Sequence, residues 1–170
     1  ALLQSEHTAD SILKLTDLLD YLVYRATLES VPIEKEVQLL ENYIGLEQLR
    51  YGDHLKLNIN LKGVTNGVMV APLILLPFAE NCFKHGGPSK DGDFTIQLYL
   101  KADQNRLRFS LQNTKKRRPD ESTATGGVGL QNLRERLQLI YPDQHELVIT
   151  DSADAYLIEL MIKLNANGKI

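Results

Sequence analysis

The chain has 170 residues, 43% of them apolar, with a formal net charge of −3. That is the length of one ordinary domain, rich enough for a core, with no general electrostatic reason to bind nucleic acid or an anionic membrane. The single Cys82 excludes an internal disulfide, and no run of 18 apolar residues is present to span a bilayer. The start, without a methionine or a signal-like segment, reads as a cut into a longer protein.

The first segment is helical. Ile12, Leu15, Leu19, Leu22, Val23 and Ala26 recur at helical spacing, Leu18 widens the apolar face, and Asp17, Asp20 and Arg25 fall off it. The pattern ends near Glu29-Ser30. Pro32 then opens a second helix, with Glu34 and Glu36 suited to the positive end of its dipole. Val37, Leu40 and Ile44 form one stripe, Leu39, Tyr43 and Leu46 another, and Gly52 is a C-terminal stop. Two readings follow: a hairpin that packs on its own domain, or one whose surplus apolar surface pairs with a second copy of the chain.

Sheet comes next. Leu55, Leu57, Ile59 and Leu61 alternate with polar residues as in a half-buried strand, and Val68-Met69-Val70 is a short apolar run. Pro72 begins a further helix, with Pro77 inside it, and Gly86-Gly87-Pro88 stops it. Residues 95–100 and 107–111 are two strands around a tight turn at Asp103-Gln104-Asn105. Residues 114–126 are polar and without pattern. Leu130, Leu133, Leu137 and Ile140 mark a helix with Arg134, Glu135 and Arg136 outside, and strands at 146–150 and 156–163 flank a turn at Asp151 to Asp154. The expected architecture is a mixed α/β sheet with helices on one face, behind a helical pair.

Two stretches carry chemistry. The helix ending Glu80-Asn81-Cys82-Phe83-Lys84-His85-Gly86 puts residues 81, 84 and 85 on one face. An asparagine oxygen is a hard, neutral ligand suited to a magnesium ion that also holds phosphate oxygens, and Lys84 and His85 could offset phosphate charge. A solvated helix end is the plainer alternative. Gly126, Gly127 and Gly129 lead into the next helix, where backbone N–H groups and the positive helix end can meet an anion; glycines also serve ordinary turns. A 13-residue polar loop ahead of such a turn suits a lid. Its Lys115-Lys116-Arg117-Arg118 is either a phosphate contact or a solvated charge run.

PFAENCFKHG followed by GGVGLQNLRERLQLIY resembles the N box and G box of the GHKL ATPase superfamily, and within it the sensor histidine kinases of the LytS/YehU type. The earlier VPIEKEVQLLENYIGLEQLRYGD is similar to a block of that subfamily, so the resemblance covers essentially the whole chain. It implies an α+β fold, the two-layer α/β sandwich of the GHKL (Bergerat) type with a mixed sheet, preceded by a helical dimerisation segment. Residues 1–52 would be the C-terminal part of the dimerisation and phosphotransfer region, and 53–170 the ATP-binding catalytic domain. The implied cofactors are ATP and magnesium. Asn81 matches the N-box asparagine that binds the metal bridging the phosphates, and Lys84 and His85 match neighbouring nucleotide-contacting positions. Gly127, Gly129 and Leu130 match the G box at the lid hinge, with Asn132 just beyond, and residues 114–125 would be the ATP lid. The implied partners are a second copy through the N-terminal helices and a response regulator, with no direct nucleic acid. The implied setting is the cytoplasmic domain of an inner-membrane sensor, anchored only through an upstream segment.

Two positions depart from the pattern. The adenine-binding aspartate of the family falls nearest Asn113, an uncharged acceptor. Hydrolytic members place a glutamate one turn before the metal asparagine, where this chain has Pro77, so hydrolysis is not the expected output; Glu80 is the carboxylate placed to polarise a reacting group. The phosphoacceptor of the resembling kinases lies in an Asn-Pro-His-Phe-type block, and none of His7, His54, His85 and His145 sits in one. The expected acceptor is therefore upstream. The implied function is the kinase core of a two-component sensor; the alternative is a regulatory or dimerisation module of the same fold that binds nucleotide poorly.

Overall fold

The structure is a computed structural model that describes residues 2–63, 67–89, 92–115 and 128–164. In chain order the elements are α1 (Leu2–Asp20), β1 (Val31–Pro32), α2 (Ile33–Tyr51), β2 (Leu55–Lys62), β3 (Met69–Val70), α3 (Leu76–His85), β4 (Phe94–Asp103), β5 (Arg106–Thr114), α4 (Val128–Ile140), β6 (His145–Asp151) and β7 (Ala155–Lys163). Five strands form one mixed sheet in the order β2-β4-β5-β7-β6, with β2 parallel to β4 and the other pairs antiparallel. β1 and β3 form a separate antiparallel pair.

Alternation along the strands explains why the sandwich has two layers. In β4, Phe94, Ile96, Leu98, Leu100 and Ala102 are buried, while Gln97, Lys101 and Asp103 on the other face are exposed. In β5, Leu107, Phe109 and Leu111 point the same way. The inner face is covered by α3 and α4: Phe78 of α3 stacks against Phe109 at 5.5 Å, and Leu130, Leu133 and Leu137 of α4 are buried. The expected turns hold as well. Asp103 Oδ1 accepts the Asn105 and Arg106 N–H groups, both at 3.0 Å, and Ser152 Oγ accepts the Ala155 N–H at 3.1 Å.

The first helix departs from its sequence pattern. Among the residues whose side chains are described, Leu18 and Tyr21 are the ones it buries, the latter in a π-helical turn at Tyr21–Arg25. The apolar stripe itself faces out, with Ile12 59%, Leu19 54% and Val23 62% exposed, and Leu15 and Leu22 beside them. α2 uses both of its stripes. It packs between α1 and α3, and Tyr43 and Tyr51 meet Phe83 at 5.8 and 6.0 Å. The result is one continuous core running from Leu18 through Leu40 to Phe94 and Ile162.

The segment from Ala71 to Leu75 corrects three expectations. Pro72 does not begin α3; the helix starts at Leu76, with Pro77 in its first turn, where a missing N–H is no loss. The N–H groups that would have begun a helix earlier are taken by Glu36, which is no surface companion of the helix dipole. It has 0% exposure and accepts Leu73 N–H at 2.7 Å, Ile74 N–H at 2.8 Å and Leu75 N–H at 3.0 Å. Tyr21 donates its hydroxyl to the same carboxylate; burial, then the Glu36 charge, push that hydroxyl far up and keep it a donor. Arg136, expected outside α4, donates instead to the Leu73 carbonyl at 2.9 Å and to the Pro72 carbonyl, while Ala71 N–H donates to Tyr141 Oη at 2.8 Å.

Replacing Glu36 by alanine would leave three buried N–H groups without acceptors. Urea unfolding should show a loss of about 3 kcal/mol or more, and roughly half that for Glu36→Gln. An alanine variant as stable as the parent would mean that the 71–75 segment finds other partners.

Candidate functional site

α3 forms because Phe78, Ala79, Cys82 and Phe83 make a buried face at helical spacing. Burial alone pushes the Cys82 thiol far above its ordinary value, so it is a packing residue. Glu80, Lys84 and His85 are exposed, and Asn81 lies half-buried at the boundary. The helix ends where Gly86 donates its N–H to the Cys82 carbonyl at 2.7 Å. A Cβ on Gly86 would lie 2.7 Å from the Phe94 ring and closer still to the Cys82 carbonyl oxygen, so this glycine is required by close approach. Past it, the chain is stapled to the end of β5. Gly87 N–H donates to the Thr114 carbonyl at 3.1 Å, Thr114 Oγ1 donates to the Gly87 carbonyl at 2.8 Å, and Thr95 N–H donates to Thr114 Oγ1 at 3.0 Å.

This staple brings the last turn of α3 over the end of the sheet that holds Asn113. Asn113 shares the inner face with Phe109 and Leu111 and is 3% exposed; tyrosines apart, it and Glu36 are the two buried polar side chains among the described residues. Its Nδ2–H donates to the Thr114 carbonyl at 2.9 Å, which turns its Oδ1 the other way as an acceptor. Directly across the ladder, in register with Asn113, is Tyr156 of β7. The Asn81 side chain lies near enough to act on the Tyr156 hydroxyl. Burial, and next the Asp151 charge, push that hydroxyl up; the Arg134 charge and the Asn81 side chain oppose them. One patch thus joins Asn81 from the helix with Asn113 and Tyr156 from neighbouring strands.

The other expected residues divide. Lys84 and His85 follow Asn81 on the last turn of α3. Glu80 lies toward the helical segment, where its charge acts on the Tyr43 hydroxyl of α2. On α4, Leu130 is buried, so only its backbone can meet a ligand, and Asn132 is exposed. Gly129 is helical, and a Cβ there would meet nothing within 4 Å. Nothing in the described residues requires a glycine at that position, which suits room kept for an incoming group. Gly126, Gly127 and residues 116–125 of the expected lid lie outside the described residues. Lys115 is tied down, with Nζ on Asp151 and on the Ser152 carbonyl at 3.1 Å, rather than held out toward phosphates. Among the described residues no group of three His, Cys, Asp or Glu side chains could hold a metal, so a metal here would depend on Asn81 and on ligands brought with it. No described helix is long and apolar enough to cross a membrane.

Tyr156 was the residue that pattern reading missed. Its one signal is a polar-tipped side chain ending the inward row Tyr156, Ile158, Leu160, Ile162, and that matters only once β7 is known to lie beside β5.

The fold has clear counterparts. A histidine kinase domain from Erythrobacter litoralis EL346 superposes with a TM-score of 0.59 at 15% identity, covering 96% of this chain and 78% of that one. Histidine kinase ShkA in complex with AMPPNP gives 0.56 at 17% identity, covering 96% and 37%. Histidine kinase ThkA in complex with response regulator TrrA gives 0.53 at 11%, covering 94% and 50%. At these identities the likeness carries the fold: that of histidine kinase catalytic domains. In sequence, residues 1–55 match the family described as Histidine kinase. The sensor histidine kinase YpdA of Escherichia coli (strain K12) is 27% identical over 132 residues, 71% of this chain and 23% of YpdA. The sensor protein kinase HptS of Staphylococcus aureus (strain USA300) is 30% identical over 92 residues, 54% of this chain and 17% of HptS. In sequence the chain is thus similar to sensor histidine kinases, and in fold to their catalytic domains. It spans about a fifth of the length of these relatives.

The two glycines flanking the site should respond with opposite signs. Gly86→Ala should lower stability by roughly 1–3 kcal/mol through overpacking, whereas Gly129→Ala, in the first turn of α4 with open space around its Cβ, should raise it by about 0.5 kcal/mol. Thermal unfolding of the two variants checks both.

Proposed function

We propose that the chain is the ATP-binding kinase core of a two-component sensor histidine kinase, which transfers the ATP γ-phosphoryl group to a histidine and from there to a response regulator. One observation carries this reading: Asn81, Asn113 and Tyr156 converge at one end of the sheet, with the Asn113 N–H engaged by the Thr114 carbonyl. The Asn113 oxygen is then left for an adenine amino group, and the half-buried Asn81 amide stands by it for a metal ion. The AMPPNP bound by ShkA and the regulator bound by ThkA support the nucleotide and partner assignments by likeness of fold.

A bound magnesium would supply charge neutralisation for the phosphates. Asn81 Oδ1 would be its protein ligand. Lys84 and His85 add positive charge beside it, and the first N–H groups of α4, which have no intrahelical partners, face the phosphates with Gly129 leaving space. Gly127, Leu130 and Asn132 belong to the same lid hinge. Asn113 Oδ1 accepts from the adenine amino group. Glu80, on the side of α3 nearer the helical segment, polarises the accepting group. Catalysis of this kind is mostly positioning and charge neutralisation. The acceptor histidine lies outside these 170 residues, because none of His7, His54, His85 and His145 sits in an acceptor block. We assign residues 1–52 to the dimerisation and phosphotransfer region and 53–170 to the catalytic domain, as the cytoplasmic part of an inner-membrane sensor. The exposed stripe of Ile12, Leu15, Leu19, Leu22 and Val23 supports pairing with a second copy.

The neutral Asn113 favours a second reading, a regulatory module that binds nucleotide poorly. Titration with a fluorescent ATP analogue separates the two. The wild-type chain should bind in a magnesium-dependent manner and Asn81→Ala should lose that dependence. Absence of magnesium-dependent binding would sink the kinase reading, and unchanged binding in Asn81→Ala would sink the metal assignment. Independently, Leu15→Glu with Leu19→Glu should convert a dimer to a monomer by light scattering while the far-UV circular dichroism spectrum stays that of the folded chain, since neither side chain is in the core.

A further inference from the structure

We propose that Thr114 is a positioning residue for the nucleotide: its hydroxyl and carbonyl hold the chain leaving α3 against the end of β5, and so set the span between the last turn of that helix and Asn113. This rests on the kinase reading and adds to it a residue that acts through Asn113 and α3 rather than on the ligand.

Thr114 stands where β5 changes partners. Up to Asn113, which lies opposite Ile96, β5 pairs with β4. One residue on, its neighbour is the chain leaving α3: Gly87 N–H donates to the Thr114 carbonyl at 3.1 Å, and Gly86 bridges antiparallel to Lys115. The Thr114 hydroxyl closes this fork. It accepts Thr95 N–H of β4 at 3.0 Å and donates to the Gly87 carbonyl at 2.8 Å. A hydroxyl both donates and accepts through one oxygen, so it can tie an N–H of one arm to a carbonyl of the other; a methyl of the same size can do neither. The far side of β5 is fixed. Thr114 lies opposite Ala155 of β7, Lys115 N–H donates to the Asp154 carbonyl at 3.0 Å, and Lys115 Nζ donates to the Ser152 carbonyl at 3.1 Å. The end of β5 is therefore the anchored member, and the chain leaving α3 is the one that Thr114 holds in place.

The same residue orients the base-facing side chain. Its carbonyl accepts Asn113 Nδ2–H at 2.9 Å, beside the bond from Gly87. Thr114 thus fixes both the amide of Asn113 and the approach of the helix that carries Asn81, Lys84 and His85. A nucleotide spans a set length from base to phosphates and has to meet both ends at once. A shift of about 1 Å at the fork would be felt as a misfit at one of them.

The test uses the whole chain as wild type, Thr114→Val and Thr114→Ser. Magnesium ATP displaces a fluorescent ATP analogue at a temperature well below each protein's melting transition. Thr114→Val keeps the shape and the carbonyl but not the hydroxyl, and should bind magnesium ATP about 10-fold more weakly; Thr114→Ser restores the hydroxyl and should lie within about 2-fold of wild type. Without nucleotide, the Thr95 amide proton should exchange about 10-fold faster in Thr114→Val than in wild type. A lower melting temperature of Thr114→Val with wild-type affinity makes the hydroxyl merely structural; it overturns the proposal and leaves the kinase reading standing. Equally weak binding by both variants assigns the effect to the lost methyl group and overturns it too, as does unchanged exchange at Thr95. Should Thr114→Val not fold, wild type alone decides: magnesium ATP should slow exchange of the Thr95 and Gly87 amides, and unchanged exchange at both overturns the proposal. No binding of magnesium ATP by wild type overturns the kinase reading, and this inference with it.

Discussion

A fully buried carboxylate holds the two parts of this molecule together. Glu36 belongs to α2, yet its oxygens accept the N–H groups of Leu73, Ile74 and Leu75 and the hydroxyl of Tyr21. Removing a carboxylate from water is strongly unfavourable unless its lone pairs are satisfied, and four directed donors do that here. In return, the segment before α3 acquires one conformation. Leu73 sits at φ 55°, in the left-handed region that disfavours a residue with a Cβ, at a cost of about 1–2 kcal/mol. It stays there because Glu36 holds its N–H and Arg136 holds its carbonyl.

The consequence is directional. Residues 71–75 are gripped from one side by Tyr21 and Glu36 of the helical segment and from the other by Arg136 and Tyr141, in and just after α4. They run straight into Leu76, the first residue of α3, which places Asn81 about one and a half turns later. Apolar contacts between helices tolerate sliding, whereas a fan of hydrogen bonds to one carboxylate does not. A displacement of Glu36 is therefore imposed on the start of α3. The aromatic contacts of Tyr43 and Tyr51 with Phe83 impose it again at the far end of that helix.

This joint was not legible in the sequence, and the reason is physical. A glutamate in the first turn of a helix ordinarily faces water, and nothing local to residues 32–40 says that a segment more than 30 residues later folds back upon it. Without that knowledge Pro72 and Pro77 are equivalent candidates to begin α3, and the earlier one was the wrong choice. Arg136 was misread for the same cause, since its partners are backbone carbonyls of that segment. Local signals did better. Alternation placed all five strands of the main sheet to within a few residues, and the motif resemblance singled out Asn81 and Asn113, now found on one patch. In α1 the periodicity was real but could not say which side the domain covers: Leu18 and Tyr21 go inward and the stripe faces out, as the reading with surplus apolar surface has it. Tyr156 stayed hidden because β5 and β7 are joined through α4 and β6, a pairing no window of sequence contains.

The adenine end also changes in weight. An asparagine where the resembling kinases carry an aspartate loses a charge, and on sequence grounds that is a weakness. The structure supplies what an amide needs in place of charge, namely orientation: the Thr114 carbonyl takes the Asn113 N–H, and the Thr114 hydroxyl ties the same residue to Gly87 at the end of α3. Thr114 therefore does two things at once, fixing which end of Asn113 is presented and how far the metal-binding helix lies from it. With both polar anchors of the site neutral, charge complementarity to a triphosphate has to come from the rim, where Lys84 is exposed and Arg134 is near enough to act on the Tyr156 hydroxyl. Such a site relies on the geometry of its amides for recognition and on solvent-screened cations for attraction, so geometry is the less replaceable of the two.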